Sequence, residues 1–465
     1  MSKIKLKELS KLGYTNNQAR TTALNVIAKY CKHHTAEAIA DLLVDIKNNP
    51  TAYLQEEGLN KIALCFVEEV HEEAFTAYEL NSEAKQVKTY GAKNIDTIAK
   101  QQMDIALRLP IATRGALMPD AHAGYGLPIG GVLACDNAVI PYGIGVDIGC
   151  RMAMTIYDAN ETAFNQYKYQ CKTALSEWTH FGNEGGLEQK QDHRIMEHAL
   201  FNELELCKKL KGKAWRQLGS SGGGNHFVEW GLLDMQEQNN LQLRPGRYIA
   251  LLSHSGSRGL GATIAQHYFA QAMAVCKLPN IAKHMAWLNL DSSLGQEYWL
   301  AMNLAGEYAA ANHEVIHANI TKALGFTPIA CVQNHHNFAW QEEVDGKQLI
   351  VHRKGATPAH QGEFGIIPGS MAHAGYLVSG KGKALALNSA SHGAGRAMSR
   401  AKAKSTNTVS AMKKMLADNN ITLIGGSTEE APNAYKDIAQ VMLAQQELVH
   451  IEGKFQPKIV RMYKE

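Results

Sequence analysis

The chain has 465 residues, of which 45% are apolar and 20% charged, and its 47 basic and 44 acidic residues leave a formal net charge of +3. This length and composition are typical of a globular protein with two or three domains, and they exclude fibrous and low-complexity classes. The small net charge also excludes a strong whole-molecule attraction to nucleic acid, so any such binding requires a local basic patch.

Targeting signals and cysteine usage indicate the compartment. No run of about 18 apolar residues occurs, so we expect no membrane span and no membrane partner. The charged start MSKIKLKELSKLG lacks the apolar segment of a signal peptide. The eight cysteines form no CxxC pair, which argues against a disulfide framework or a zinc ribbon. We therefore expect a cytoplasmic protein.

Residues 1–85 are predicted to form a small helical region. Ile39, Leu42, Leu43 and Ile46 follow the i, i+3, i+4, i+7 spacing of an amphipathic helix that ends before Asn49-Pro50. Thr15 is the predicted N-cap of an earlier helix that reaches Tyr30. The region contains no glycine-rich loop and no paired ligand candidates, so the sequence does not indicate its role.

From residue 86 to residue 465 the pattern predicts one large mixed α/β domain. Predicted strands at Tyr248–Leu252, Ile329–Val332 and Gln348–Val351 each end at a cluster of polar residues, and Asp345-Gly346 is typical of a hairpin turn. Long helices are predicted from about residue 295 to residue 324, closed by Gly325, and from about residue 433 to residue 449.

The stretch from Met118 to Met152 is rich in glycine and contains three prolines. Such a composition favours rigid turns that carry side chains over packed core. Asp147 and Cys150 lie three positions apart after an apolar run, so one short turn can direct a carboxylate and a thiolate at the same point. The alternative is that Cys150 is a small buried apolar residue, as most free cysteines are.

Four further clusters place a histidine beside glycine, serine or asparagine at the edge of an apolar run: GGGNHFVE at 222–229, HSGSRG at 254–259, NHHN at 334–337 and SHGAGR at 391–396. We interpret them as one site assembled from distant strands. A set of Asp, Cys and His ligands suits Mn, Fe, Co or Zn better than Mg or Ca, and two metals bridged by the Cys150 thiolate would use it fully. Arg258, Lys354 and Arg396 each stand next to a glycine near these clusters, where a phosphate can approach.

Common nucleotide-binding motifs are absent. The sequence has no GxxxxGK[ST], its HAGYGLPIGG segment does not fit a strand-to-helix GxGxxG, and it has no KxDG-like lysine. A nucleotide would therefore be held by backbone amides and metal, and attacked by a nucleophile other than lysine.

These clusters, in this order, closely resemble the RtcB family of GTP-dependent RNA ligases. The matching motifs are MPDAH, GVDIGC, GGGNHFVE, HSGSRG, NHHN, RKGAT, IPGSM, SHGAGRAMSR, APNAYKDI and a near-terminal lysine. The resemblance runs from about Val87 to the C-terminus and implies the RtcB-like fold, a β-rich core with surrounding helices. Typical members begin near Val87, so residues 1–85 are an N-terminal helical extension.

The resemblance assigns roles to individual residues. Two Mn²⁺ ions would be held by Asp147, Cys150, His226, His254 and His336. His392 would be the nucleophile that carries GMP, with Asp120 and His122 orienting it or a metal ligand. Arg258, Lys354 and Arg396 would hold RNA phosphates. The GTP pocket would consist of Asn225, His226, Phe227, Val228, Glu229, His336, Asn337, Pro368, Gly369, Ser370, Met371, Gly375, His392, Gly393, Ala394, Gly395, Tyr435 and Lys464.

The implied reaction joins an RNA 3′-phosphate or 2′,3′-cyclic phosphate end to a 5′-hydroxyl end, in RNA repair or tRNA splicing. Gly375 replaces a serine that usually contacts GTP, Arg151 replaces a common glycine, and Asn312-His313 replaces a common Asn-Arg. These departures suggest a divergent branch, and an archease-like activator is a further possible partner. A metal-dependent RNA end phosphoesterase, or cyclic phosphodiesterase, without ligation stays open as an alternative, as does a non-catalytic RNA-binding protein.

Overall fold

The computed structural model describes residues 4–31, 33–67, 75–182, 186–187 and 189–464. Its α-helices, in chain order, are α1 Leu6–Lys11, α2 Asn17–Tyr30, α3 Ala36–Asn48, α4 Leu59–Val67, α5 Thr97–Leu107, α6 Pro141–Ile144, α7 Glu161–Gln166, α8 Lys168–Trp178, α9 Leu200–Glu203, α10 Glu205–Gln217, α11 Arg258–Val275, α12 Ser293–Leu324, α13 Arg400–Thr406, α14 Val409–Asp418 and α15 Ile438–Ala444.

The strands are β1 Thr76–Ala77, β2 Val87–Thr89, β3 Ala112–His122, β4 Ile129–Cys135, β5 Ala138–Val139, β6 Arg151–Tyr157, β7 Phe227–Met235, β8 Gly246–Ser255, β9 Cys276–Lys277, β10 Leu288–Asn289, β11 Pro328–His335, β12 Asn337–Val344, β13 Lys347–Lys354, β14 Ala356–Pro358, β15 Phe364–Ile367, β16 Gly375–Gly380, β17 Ser389–Ser391, β18 Thr422–Ile424 and β19 Val449–Met462. Helices and strands together make the mixed α/β fold that the sequence predicts.

Two sheets dominate the structure. The larger has eight strands in the order β11-β6-β8-β7-β19-β16-β15, with β18 added in parallel to β19. The smaller has the order β12-β13-β4-β3-β2. β11 ends at His335 in the larger sheet and β12 begins at Asn337 in the smaller one, so the chain crosses between the sheets at His336.

Local sequence signals explain the hairpin and the longest helix. Val344 pairs with Lys347, and the two residues between them have positive φ, 51° at Asp345 and 78° at Gly346, as a two-residue hairpin turn requires. In α12 the Ser292 hydroxyl accepts a hydrogen bond from the backbone of Gly295, and Gly325 ends the helix with a φ of 69°. Both predictions are confirmed.

The N-terminal helices pack onto the rest of the chain. Ile39, Leu43 and Ile46 are buried on one face of α3, as their spacing predicts. α2 packs against α12, and buried side chains of both helices belong to one continuous apolar core. The cap of α2 is Asn16, whose side chain accepts a hydrogen bond from the backbone of Gln18, so the prediction of Thr15 was wrong by one residue.

The predicted helix from residue 433 to residue 449 is wrong. A 3₁₀ turn covers Pro432–Ala434, α15 contains only seven residues, and β19 begins at Val449. Tyr435 has an extended backbone and pairs with Arg396, and the backbone of Lys436 donates to the carbonyl of Gly395. The helix therefore begins only after Asp437, whose side chain caps it.

Among the described residues, no helix combines the length and apolar character needed to cross a bilayer. All eight cysteines lie in the described part of the chain, and each is a free thiol.

Candidate metal centre and nucleotide pocket

The ends of three neighbouring strands and the crossover between the sheets bring the predicted ligands together. Cys150 precedes β6, His226 precedes β7, and His254 lies at the end of β8, where it pairs with Met152 and Phe227. Because these strands are antiparallel neighbours, the start of β6, the start of β7 and the end of β8 share one edge of the sheet. His336 reaches the same point from the crossover.

The candidate ligand atoms form two groups that share Cys150. His226 Nε2 lies 3.0 Å from Asp147 Oδ2 and 3.4 Å from Cys150 Sγ. His254 Nε2 lies 3.2 Å from Cys150 Sγ and 3.2 Å from His336 Nε2. In each group the ligand atoms lie within 4.8 Å of one another, which is close enough to surround one metal ion. Cys150 Sγ belongs to both groups, so each group would share this sulfur as a ligand of its metal ion.

Burial keeps the imidazoles of His254 and His336 neutral. It lowers the pKa of His254 to about 3, with the neighbouring His226 adding to the effect, and it lowers the pKa of His336 well below the ordinary value. A neutral imidazole offers the lone pair that a metal needs. His254 donates its Nδ1 hydrogen to the carbonyl of Asn225 at 3.1 Å, so its Nε2 lone pair faces the cluster.

The thiol of Cys150 and the carboxylate of Asp147 suit a cation for a different reason. Burial and the negative charge of Asp147 raise the pKa of the Cys150 thiol well above its ordinary value. Burial also opposes ionisation of Asp147, but the hydrogen bond and charge of His226 outweigh it and lower the pKa of that carboxyl. A divalent cation would reverse the penalty on the thiolate. The Nδ1 atom of His336 is also buried without a hydrogen-bond partner. The donor set therefore suits metal ions.

His392 and Asp120 form the second functional pair. His392 follows β17, its Nδ1 lies 2.7 Å from Asp120 Oδ2, and its ring centre is 4.9 Å from that of His336. The Asp120 side chain is fully buried, and a carboxylate accepts only, so His392 donates from Nδ1 and Nε2 is the ring nitrogen that Asp120 does not engage.

The surroundings of Asp120 hold it in place. His122 Nδ1 lies 3.0 Å from the backbone oxygen of Asp120, and burial lowers the pKa of His122 to about 4. Lys436 donates to the backbone oxygen of Ala121 at 2.6 Å. Gly395 has a φ of 71°, and a Cβ on it would lie 2.1 Å from the oxygen of Asp120, so only glycine fits there. Lys436 has no counterpart among the predicted site residues.

A cavity of about 150 Å³ opens beside these histidines. Its lining includes Met152, His122, His254, Arg400 and Glu430, together with residues predicted for the GTP pocket: Asn225, Phe227, Glu229, His336, Pro368, Gly369, Ser370, Met371, Gly375, His392, Gly393, Ala394, Gly395 and Tyr435. His373 also lines it, with its Nδ1 2.7 Å from the Ser370 hydroxyl.

Four predicted pocket residues lie outside this lining. Val228 is buried in the core on the opposite face of β7, because successive side chains of a strand alternate in direction. His226 faces the ligand cluster, and Asn337 accepts a hydrogen bond from the backbone of Gly355 at 2.8 Å. Lys464 is exposed after β19, near Gly425.

Two acidic residues line the cavity in different surroundings. The carboxyl of Glu229 is buried, and burial raises its pKa well above the ordinary value. Glu430 is almost fully buried and lies 2.9 Å from Arg396 Nη1. It also accepts a hydrogen bond from the hydroxyl of Tyr435, whose ring lies under the Arg396 guanidinium. Glu430 was missed at the sequence level, although its position near APNAYKDI was a usable signal.

The three cations predicted for RNA phosphates contact protein groups in this structure. Arg258 is buried and donates to the carbonyl of Gly182 at 2.5 Å. Lys354 is buried with its Nζ on the carbonyls of Tyr125 and Tyr142, and burial lowers its pKa to about 7. Arg396 pairs with Glu430, as described above. A phosphate would have to replace these partners.

Arg151, which departs from the resembled family, and Asn312, which precedes the departing His313, support the site. Asn312 on α12 accepts hydrogen bonds from the backbone of Gly219 and Ser220 and donates to the hydroxyl of Ser255, so it ties the loop before His226 to the strand end carrying His254. Arg151 donates to Gln333 and lies 2.9 Å from His335 Nδ1. Arg151 was noticed in the sequence only as a departure, and Asn312 only as the neighbour of the departing His313.

Comparison with known protein families gives one consistent match. The model of the family described as "tRNA-splicing ligase RtcB" matches residues 101–203 and 166–462. The RNA-splicing ligase RtcB of Escherichia coli K12 is 31% identical over 394 residues, covering 77% of this chain and 92% of that protein. The tRNA-splicing ligase RtcB of Nanoarchaeum equitans is 32% identical over 432 residues, covering 77% of this chain and 90% of that protein. That of Methanococcus maripaludis is 31% identical over 418 residues, covering 74% and 87%.

Proposed function

The chain belongs to the RtcB family, and from that premise we propose that it is an RNA ligase that joins RNA 3′-phosphate or 2′,3′-cyclic phosphate ends to 5′-hydroxyl ends with GTP and Mn²⁺. The observation that carries this proposal is the pair Asp120–His392 beside the two ligand groups. A histidine held by a carboxylate at 2.7 Å, with its other ring nitrogen free, is the arrangement of an oriented nucleophile.

The metal ions would be held by Asp147, Cys150 and His226 on one side and by Cys150, His254 and His336 on the other. When bound, they would supply the positive charge that a triphosphate needs before a nucleophile can approach its phosphorus. The choice of Mn²⁺ rests on the family resemblance.

His392 performs the first step. Its Nε2 attacks the α-phosphorus of GTP, a P–N bond forms, and the bond to pyrophosphate breaks. Asp120 accepts the Nδ1 hydrogen bond and stabilises the positive charge that the ring gains when Nε2 bonds phosphorus. GMP then passes to an RNA 3′-phosphate, which breaks the P–N bond. Attack of a 5′-hydroxyl on the activated phosphate joins the RNA and releases GMP. A 2′,3′-cyclic phosphate end would first add water, which breaks the bond to O2′ and leaves a 3′-phosphate and a free 2′-hydroxyl.

The cavity would hold the nucleotide. Glu229 places a buried carboxyl there, whose pKa burial raises in the free protein. The N–H donors that guanine presents and adenine lacks would favour its carboxylate form and donate to it. Gly393, Ala394 and Gly395 bring backbone close to the nucleophile, which leaves room for phosphate. The same proposal includes an archease-like protein as a partner that activates the ligase. Its RNA substrates would come from tRNA splicing or from RNA repair.

The test is labelling with α-³²P GTP and Mn²⁺, followed by RNA fragments with 3′-phosphate and 5′-hydroxyl ends. We expect GMP to stay on the denatured protein, to disappear on adding RNA, and to be absent in His392→Ala. The alternative is a metal-dependent RNA end phosphoesterase, which would trim ends without acquiring label. If the wild-type protein releases phosphate from RNA but acquires no GMP label, the result would favour that alternative. Failure to bind Mn²⁺ would favour a non-catalytic RNA-binding protein.

A further inference from the structure

Helix α10 is strongly basic and belongs to none of the motifs that form the site. Its thirteen residues carry a single acidic side chain, Glu205, and five basic ones: Lys208, Lys209, Lys211, Lys213 and Arg216. The whole chain has a net charge of only +3, so this helix concentrates positive charge locally. Local concentration is what attraction to a polyanion requires.

The charges of α10 face solvent. Cys207, Ala214 and Gln217 form its buried face. Lys208, Lys209, Lys213 and Arg216 are exposed, and Lys211 is half-buried. Lys209 pairs with Glu205 at 3.1 Å, but both side chains are about two-thirds exposed, so water screens the pair and leaves the lysine available.

The C-terminal end of α10 packs against the first turn of α11, which follows β8 and its candidate ligand His254. Gln217 accepts a hydrogen bond from the backbone of Gly259 at 2.9 Å, and the Lys213 side chain packs against the same glycine. Three positions earlier, Gly256 packs against the carboxylate of Asp147. The C-terminal end of α10 therefore lies near the part of the centre that contains Asp147.

That side is also the open one. The Asp147 side chain is 29% exposed, whereas Cys150, His254 and His336 are each less than 5% exposed. The nucleotide cavity is lined by His254, His336 and His392 but not by Asp147. The partly exposed Asp147 therefore lies on a side of the centre that does not line the nucleotide cavity.

We propose that the exposed face of α10 binds the phosphodiester backbone of the RNA substrate and directs its end to the Asp147 side of the centre. This inference rests on the proposed function, since it takes RNA as the substrate. It assigns RNA contact to exposed lysines, which can pair with phosphates without breaking protein hydrogen bonds, in addition to the buried Arg258 and Lys354.

The experiment compares two matched double variants. Lys208→Glu/Lys209→Glu changes α10, and Lys413→Glu/Lys414→Glu changes α14. Each pair is adjacent on a helix and has one lysine in an i,i+4 pair with a carboxylate, Lys209 with Glu205 and Lys414 with Asp418. The milder Lys208→Ala/Lys209→Ala guards against misfolding from charge reversal. RNA bearing a 3′-phosphate is titrated by fluorescence anisotropy at several salt concentrations, and GMP labelling is measured without RNA.

We expect both α10 variants to label with GMP at the wild-type rate. We expect the α10 charge reversal to bind RNA at least about tenfold more weakly, with a shallower dependence of affinity on salt, because each lost phosphate contact lowers that slope by about one. The α14 variant should bind within about twofold of wild type. Equal weakening in both variants, or unchanged RNA binding in the α10 variants, would overturn the inference. A wild-type protein that binds RNA through α10 but takes no GMP label would support it and overturn the proposed function instead.

Discussion

Asp120 and His392 lie 272 positions apart in the chain, yet Oδ2 of one and Nδ1 of the other meet at 2.7 Å. Asp120 comes from the end of β3 and His392 from the loop after β17. This hydrogen bond engages Nδ1 of His392 and so determines that Nε2 is the ring nitrogen available to react.

Asp120→Asn should slow GMP labelling by about 100-fold or more, because an amide can donate to Nδ1 and so favour the wrong tautomer of His392. Single-turnover labelling with α-³²P GTP measures the rate. Asp136→Asn, at an exposed carboxylate, serves as the control and should label normally. A normal rate in Asp120→Asn would show that the carboxylate does not orient the nucleophile.

Cys150→Ser should weaken Mn²⁺ binding by at least about tenfold, since removal of even an indirect partner of a metal ligand commonly costs about 10- to 100-fold. Because Cys150 belongs to both ligand groups, both ions should be affected. Isothermal titration calorimetry gives affinity and stoichiometry. The matched control is Cys331→Ser, which changes an exposed free thiol and should bind as wild type. Loss of only one ion would contradict a bridging thiolate.

Gly395→Ala should lower the free energy of unfolding by at least about 1–2 kcal/mol, because an L side chain in left-handed backbone is strained. GMP labelling should fall with it, because the added Cβ would displace Asp120. Gly393→Ala changes a glycine two positions away whose Cβ meets its nearest atom at 3.4 Å, so its stability should be near wild type. Denaturant unfolding distinguishes the two. Equal stability of both variants would refute the close approach at Gly395.

Glu229→Gln should reduce the preference for GTP over ATP by about 10- to 100-fold, the equivalent of losing a hydrogen bond to a charged group worth roughly 1.5–3 kcal/mol. Labelling with each α-labelled nucleotide measures the ratio. Glu237→Gln, on the surface, is the control. An unchanged ratio would mean that another group recognises the base.

The metal-free protein should lose stability as pH falls from 6.5 towards 4. His352 accepts a hydrogen bond from the backbone of Ile140 at Nε2, and burial lowers its pKa to about 4. Between these pH values the unfolded chain binds a proton that the folded chain does not, so stability decreases with decreasing pH. Above pH 6.5 neither state is protonated at His352, and its effect is absent.

His352→Leu isolates this effect. The variant should be less stable than wild type at pH 7.5, and the difference should shrink by about 2 kcal/mol at pH 5, at about 1.4 kcal/mol per pH unit. Urea unfolding at both pH values tests this, with the exposed His33→Leu as the control, which should parallel wild type. A constant difference for His352→Leu would show that His352 does not titrate this way.

The sequence predicted best where the signal is local. Asp345-Gly346 and Gly325 specify a turn and a helix end through their own backbone preferences, and both lie where predicted. The C-terminal helix was overextended because helical periodicity does not reveal that Tyr435 and Lys436 are engaged by Arg396 and Gly395.

The sequence indicated which residue types form the candidate site, but not which of these residues contact one another. The histidine, glycine and cysteine clusters identify which residues can take part. The partners of Asp120, Arg258 and Lys354 depend on how distant strands meet, which no local pattern encodes. Cations beside glycines look accessible in sequence, yet Arg258 is buried against the carbonyl of Gly182 and Lys354 against those of Tyr125 and Tyr142.

The final strand, β19, is inserted between β7 and β16 in the interior of the larger sheet. During translation, β7 emerges from the ribosome more than 200 residues before the neighbour that completes its hydrogen bonds. The nascent chain must therefore carry unpaired strand edges until synthesis is nearly finished, a state prone to misassociation. A premature stop before Val449 would leave a gap in the middle of the sheet and no competent enzyme.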